Sequence, residues 1–215
     1  MGEQTVDGNG EIVLGRENAI GDNLVNNSLR FSGQTNGLDT LTLDTGLTIR
    51  GQGRFDASSL TDEIDLKGTL RAEDGQLDIR GFDQLDGTLG AADDGILEVE
   101  EDLEMLEQGK LEIGVSEAGV GRLEVLGSLD RDGTLALDVA DDFVANLGDT
   151  FEFVTTRNGL TGNFQTFEGF DLAGSLAFVL DETDGDLSLR VATDAEAQEQ
   201  GFLSNASNLS NDNLF

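Results

Sequence analysis

Gly68-Thr69-Leu70-Arg71-Ala72, Gly75-Gln76-Leu77-Asp78-Ile79, Gly87-Thr88-Leu89-Gly90-Ala91 and Gly95-Ile96-Leu97-Glu98-Val99 are four statements of one unit, Gly-x-Leu-x-apolar. It returns as Gly109-Lys110-Leu111-Glu112-Ile113, Gly121-Arg122-Leu123-Glu124-Val125, Gly133-Thr134-Leu135-Ala136-Leu137 and, later, Gly185-Asp186-Leu187-Ser188-Leu189. Around each Leu, apolar residues recur at every second position, the period of a strand with one buried face. The first seven glycines stand 7, 12, 8, 14, 12 and 12 residues apart. Alternate members give 19 residues from Gly68 to Gly87, 20 from Gly75 to Gly95 and 24 from Gly109 to Gly133, which is one coil of a solenoid. A rung of that length cannot bury its apolar face alone, whereas stacked rungs share a continuous core. Leu77, Leu97, Leu111, Leu123 and Leu135 are therefore expected inside, with Glu98, Glu112 and Glu124 outside.

The turns between units must be made without proline, since the chain has none, and its 29 glycines, with Asn and Asp, supply the positive φ that turns require. Helical periodicity is scarce; Glu100 to Gln108 is the best stretch for it. The fold class is all-β. An antiparallel β-sandwich is the alternative, because its strands also recur every 8 to 12 residues or so. Three features favour the β-solenoid: Gly returns in the same place, the strands are very short, and no Asn-Gly hairpin turn links consecutive units.

Residues 1–10 read as a flexible N-terminus, 11–139 as solenoid rungs, 140–193 as capping strands and 194–215 as a polar tail. Phe143, Phe151, Phe153, Phe164, Phe167, Phe170 and Phe178 crowd 36 residues of a chain with only 12 Phe, which fits a bulky cap over the last rung's open edge. Strands are expected at 149–155, 162–167, 175–181 and 186–192, and earlier at 11–14 and 29–31.

Composition excludes whole classes of function. With 12 Lys and Arg against 44 Asp and Glu, the 215-residue chain has a formal charge of −32, so a phosphate backbone finds no cationic face. No His and no Cys means no Ser-His-Asp triad, no thiol nucleophile and no imidazole or thiolate zinc site. No Trp or Tyr is present to stack on sugars. No stretch has the roughly 20 apolar residues of a membrane span, and Met1 to Gly10 lacks the regions of a signal peptide, so export would require a leader outside this sequence. The Asp-rich, Lys-poor balance is similar to that of proteins from salt-rich habitats; an acidic extracellular protein of a marine or soil bacterium is the other reading.

The segments Gly133-Thr134-Leu135-Ala136-Leu137-Asp138-Val139, Leu147-Gly148-Asp149-Thr150-Phe151-Glu152-Phe153-Val154, Leu160-Thr161-Gly162-Asn163-Phe164, Leu176-Ala177-Phe178-Val179-Leu180 and Leu187-Ser188-Leu189-Arg190-Val191 resemble the closing part of autotransporter-type passenger domains and related surface proteins with autotransporter-associated strand repeats. The resemblance covers about residues 38 to 192. It implies a right-handed parallel β-helix displayed outside bacterial cells. It implies no site, because packing residues hold that family together, and nothing like its membrane barrel follows Val191.

Candidate chemistry is limited to carboxylates. Paired acids cleave glycosidic bonds, but acids make up a fifth of this chain, and a −32 surface repels acidic polysaccharide. The expectation is no enzyme. Calcium, which needs only oxygen ligands, is the one cofactor the residues allow. Asp181, Asp184 and Asp186 are its weak candidates; Asp130-Arg131-Asp132-Gly133 and Asp93-Asp94-Gly95 read as ordinary turns. One Thr-x-Thr, Thr40-Leu41-Thr42, is too few for the threonine ladder of an ice-binding face.

The expected partner is a second copy. A solenoid end has unpaired backbone groups that another strand completes, and the tail sets Phe202, Leu203, Leu209, Leu214 and Phe215 on a polar string. These features predict head-to-tail homo-oligomers or filaments, with this tail or the uncapped first rung at the contact, of an extracellular or cell-surface structural or adhesive module, with no nucleic acid and no membrane insertion. The alternative is a carbohydrate-binding or carbohydrate-active β-helix.

Overall fold

A computed structural model describes residues 4–15, 28–30, 41–57 and 64–203. The chain is all-β, and its main sheet is curled and mostly parallel. Successive coils lay down strands in order. The first holds β1 (Gln4–Val6), β2 (Gly10–Leu14) and β3 (Ser28–Arg30), the second β4 (Leu41–Leu43) and β5 (Leu47–Asp56), and the third β6 (Ile64–Leu66) and β7 (Thr69–Arg80). The fourth holds β8 (Gln84–Leu85), β9 (Thr88–Ala91) and β10 (Ile96–Val99), and the fifth β11 (Leu103–Met105), β12 (Lys110–Val115) and β13 (Arg122–Val125). The sixth holds β14 (Leu129–Arg131), β15 (Thr134–Val139) and β16 (Thr150–Thr156), followed by β17 (Leu160–Gly162) and β18 (Thr166–Glu168).

Three faces result. The first is built of β1, β4 and β6, then of β8, β11, β14 and β17. The second runs β2, β5, β7, β9, β12, β15, β18, and the third runs β3, β5, β7, β10, β13, β16. The long strands β5 and β7 serve both faces, their first halves on the second and their last halves on the third, and the β5–β7 register shifts between Gly51 and Gly53. That bend needs glycine: φ is +118° at Gly51 and +133° at Gly53, where a Cβ is strained. Every pairing from β1 to β18 within these faces is parallel, which excludes the antiparallel sandwich for this part of the chain.

The Gly-x-Leu unit now has a physical meaning. The glycines from Gly68 to Gly133 stand at corners, whereas Gly185 lies in the β20–β21 hairpin turn, and a Cβ on Gly87 would run into the carbonyl oxygens of Gly68 and Leu66 in the coil before. The next residue then donates to the glycine below: Thr88 N to Gly68 O at 2.9 Å, Lys110 N to Gly87 O at 2.8 Å, Thr134 N to Gly109 O at 2.9 Å. The leucines follow inward, stacking as Leu70–Leu89–Leu111–Leu135 on the second face and Leu77–Leu97–Leu123 on the third, all fully buried. Each such side chain contributes about 1.5–3 kcal/mol of burial.

Closure is antiparallel. β21 (Asp186–Thr193) pairs with β16, β20 (Leu176–Thr183) with β21, and β19 (Asp171–Leu172) with β20. This hairpin buries Phe178, Leu187, Leu189 and Val191 against the core, and Phe143, Phe151 and Phe178 meet with ring centroids 5.9–6.4 Å apart. Helix α1 (Asp194–Glu199) follows, its first turn capped by the Thr193 hydroxyl, which accepts from Glu196 N at 3.3 Å.

Several expectations change. Gln4–Val6, read as lying outside the rungs, is the first strand of the first face, because Thr5 and Val6 continue the alternation that pairs them with Thr42 and Leu43. The coils run on past residue 139, with β16, β17 and β18 each in parallel register on a rung strand. The tail begins as a helix, and Glu100 to Gln108 contains the strand β11. No helix among the described residues is long and apolar enough to cross a membrane.

Candidate functional surface

Outward positions stack as strictly as inward ones, so each face carries columns of like-placed side chains at the strand spacing of about 4.8 Å. On the second face one column reads Thr48, Thr69, Thr88, Lys110, Thr134, Thr166, and its neighbour reads Arg50, Arg71, Gly90, Glu112, Ala136, Glu168. The charged members join in one network along the face. Arg50 bonds Glu11 in the first coil and Glu73 at 2.7 Å in the third, which holds the guanidinium firmly protonated. Arg71 Nε lies 3.2 Å from Glu73, its Nη1 bonds Glu112, and its Nη2 lies 3.5 Å from Asp138. Lys110 Nζ then reaches Glu168 at 2.9 Å and Glu112 at 3.9 Å. The network sets three cations, Arg50, Arg71 and Lys110, among five acids along one face.

The third face is different. Asp78, Glu98 and Glu124 stand in register, three carboxylates in a row. Gln76 Nε2 donates to Asp78 at 2.8 Å and to Glu98 at 3.2 Å, and Arg54 lies 3.2 Å from Asp78. Partial burial pushes the Glu98 carboxyl above its ordinary value, and the charges of Asp78, Glu124 and Glu100 add to the effect. Burial also raises Glu101. Asp102 goes the other way, lowered because the Ser128 amide donates to it at 2.7 Å and the Ser128 hydroxyl at 2.9 Å.

Where the first face turns into the second, an open depression of about 410 Å³ is lined by Glu104, Glu107, Asp130, Arg131, Asp132 and Gln165 among others. Arg131 occupies an inward position, its side chain 6% exposed, opposite Gly162 of the next strand. Its Nε donates to Thr161 O at 3.2 Å, and its Nη1 lies 2.9 Å from Glu182 of the cap hairpin. The geometry is that of a latch between the sixth coil and the cap.

The calcium candidates do not converge. Asp181 accepts from Arg190 Nε at 2.7 Å, Asp186 accepts from Thr156 N at 3.2 Å, and Asp184 sits in the hairpin turn at φ +53°. Asp130 accepts from the Thr161 hydroxyl at 2.9 Å, Asp132 from Gly133 N at 2.7 Å, and Asp93 from the Ser116 hydroxyl. Among the described residues no three acids are grouped to hold a metal ion. Of the tail residues, Phe202 stacks on Phe170 at 5.6 Å and meets Phe167 edge-on at 4.8 Å, with Leu203 beside it against the core. Both belong to the chain's own cap. Leu209, Leu214 and Phe215 lie outside the described residues.

The sequence matches no protein-family model and no curated protein. The functional reading therefore rests on the surface itself. Its main feature, the network on the second face, went unread in the sequence although the signal was there: the fourth position of the repeat runs Arg71, Gly90, Glu112, Ala136, long and tiny side chains in alternation. The threonine column is hidden in a related way: Thr69, Thr88 and Thr134 are single residues at the second position of the unit, Thr48 and Thr166 lie outside the repeated units, and no Thr-x-Thr pair marks them.

Proposed function

We propose that this chain is a non-enzymatic extracellular structural or adhesive module, a right-handed parallel β-helix that works through its stacked outer faces and associates with copies of itself. The right hand follows from the near-universal handedness of parallel crossovers. The observation that carries the reading is the continuity of the side-chain columns: charge pairs and carboxylates repeat from coil to coil along whole faces, which suits extended contact more than chemistry at one point. The likeness to autotransporter-type passenger strands supports display outside the cell. The acidic third face supports a protein kept hydrated in a salty medium, where counterions screen its charge.

A second reading, a carbohydrate-binding β-helix, is favoured by one observation: the column of threonine hydroxyls on the second face, interrupted only at Lys110, offers donors and acceptors at a regular spacing. Imaging the purified protein by negative-stain microscopy, with co-sedimentation against insoluble glycans, separates the two. Rods or paired rods that leave the glycans untouched support the structural module. Saturable pelleting with one glycan supports the second reading, and release of sugar from any of them overturns the first.

A further inference from the structure

The two ends of the curled sheet are finished differently. Among the described residues β1, β2 and β3 are paired on one side only, and their other edges carry backbone donors and acceptors without strand partners. The inward side chains of this first coil are only partly covered: Val6, Ile12 and Leu29 are half-buried, whereas their register partners Leu43, Ile49 and Phe55 are at most 1% exposed. Val13 points outward from β2 and is 54% exposed. At the opposite end β21 turns antiparallel on β16, the β20–β21 turn is held by the Arg131–Glu182 pair, and Phe202 covers Phe167 and Phe170. That end is closed by the chain's own residues.

Charge is graded along the same axis, because the coils from β1 to β18 stack in sequence order and the cap follows them. Among the described residues, those up to Arg80 carry 6 Lys and Arg against 8 Asp and Glu, and those from Gly81 on carry 5 against 29. Two molecules meeting by their first coils bring their least acidic ends together. A head-to-tail contact sets that end against the strongly acidic one, within the roughly 10 Å over which charges still act at 0.1 M salt.

We infer that the first coil is a self-complementary interface for a second copy of this chain: a head-to-head dimer in which β2 pairs antiparallel with β2 of the copy, across a two-fold axis normal to the second face. The inference rests on the self-association proposed above and changes its geometry, since a two-fold contact closes at two molecules while a head-to-tail contact propagates. Centring the pair on Ile12 sets Glu11 opposite the partner's Val13, so each outward carboxylate meets an apolar side chain and not another carboxylate. Glu11 is also held by Arg50 one coil inward.

The chain has no cysteine, so single introduced thiols report orientation directly. Val13→Cys places one beside the proposed axis, and Ala173→Cys places one at an exposed position on the cap. In a short bis-maleimide, Val13→Cys alone is expected to give covalent dimers and Ala173→Cys alone none. Val13→Glu, which sets acid against the partner's Glu11, is expected to weaken the dimer roughly tenfold by sedimentation with unchanged circular dichroism. Covalent dimers only in a mixture of the two thiol variants, or a parent dimer that Val13→Cys never links, overturns the head-to-head geometry and leaves self-association standing. A parent protein that sediments as a monomer at high concentration and moderate salt overturns both.

Discussion

The Arg71 side chain passes over Gly90 and bonds Glu112 two coils further on. A Cβ at position 90 would lie 3.2 Å from Arg71 Cγ, closer than ordinary contact, so the missing side chain is what lets the guanidinium span the intervening coil. Gly90→Val is therefore expected to displace Arg71 and cost about 0.5–1 kcal/mol in urea denaturation, the range for partly exposed ion pairs. A double-mutant cycle with Arg71→Met and Glu112→Gln should show the same coupling in the parent and none in Gly90→Val.

The leucine columns set the stability of the fold. Leu111→Ala, in the middle of the second-face stack and fully buried, is expected to cost about 2–5 kcal/mol by leaving a cavity. Glu124→Gln, one strand away and outward, should change stability by no more than about 0.5 kcal/mol. A larger loss in Glu124→Gln than in Leu111→Ala would mean that inward and outward columns are exchanged.

Glu98 makes stability depend on pH. Its carboxyl is raised above the ordinary value in the folded chain by burial and by neighbouring acids, so the folded state binds the proton more tightly than the unfolded one. Ionised Glu98 thus weakens the fold at neutral pH; its protonation adds stability as pH falls through the raised value, a gain complete below the unfolded value. Glu98→Gln is expected to stabilise by roughly 0.5 kcal/mol at neutral pH. The difference should shrink on acidification. Asp102, lowered by Ser128, acts in the opposite sense: its contribution is present above the ordinary carboxylate range and lost as pH falls through the folded value.

Arg131 and Glu182 should respond unequally to substitution. Glu182→Gln leaves the nearly buried Arg131 without its countercharge, for an expected loss of about 1–2 kcal/mol, less than for a fully buried pair because Glu182 is half exposed. Arg131→Met matches the apolar Met105 of the coil below and should stay within about 1 kcal/mol of the parent. In both variants, hydrogen exchange should quicken at residues 181–186. Unchanged exchange there would remove the latch.

Added sodium chloride should raise the melting temperature by screening the stacked acids. Calcium at equal ionic strength should raise it no further at the cap hairpin, since Asp181 and Asp186 are engaged by Arg190 and Thr156. A calcium-specific shift abolished by Asp184→Asn would restore the hairpin as a cation site.

The repeating architecture was legible because one residue type per position carries it. Glycine is required where a corner backs onto the carbonyl of the coil before, and leucine is required where the next coil covers it; both needs are local and recur at each rung, so Gly68, Gly87, Gly109 and Gly133 spell out the coil length by themselves. The alternation around them separated inside from outside correctly for Leu77 through Leu135. Seven phenylalanines in 36 residues likewise marked the segment that closes the core.

What the sequence could not decide is which residues meet across coils of unequal length. Arg71 and Glu112 are 41 residues apart, and Arg131 and Glu182 are 51 apart with a change from parallel to antiparallel pairing between them. Those contacts depend on the register of each strand with the next, which shifts with every loop insertion, so charge pairing, the carboxylate row on the third face and the place of Phe202 in the cap were settled only by tertiary structure. Local periodicity determined the coils and their core, because burial is decided strand by strand; the character of each face was decided by stacking, because a column exists only once the coils are set one upon another.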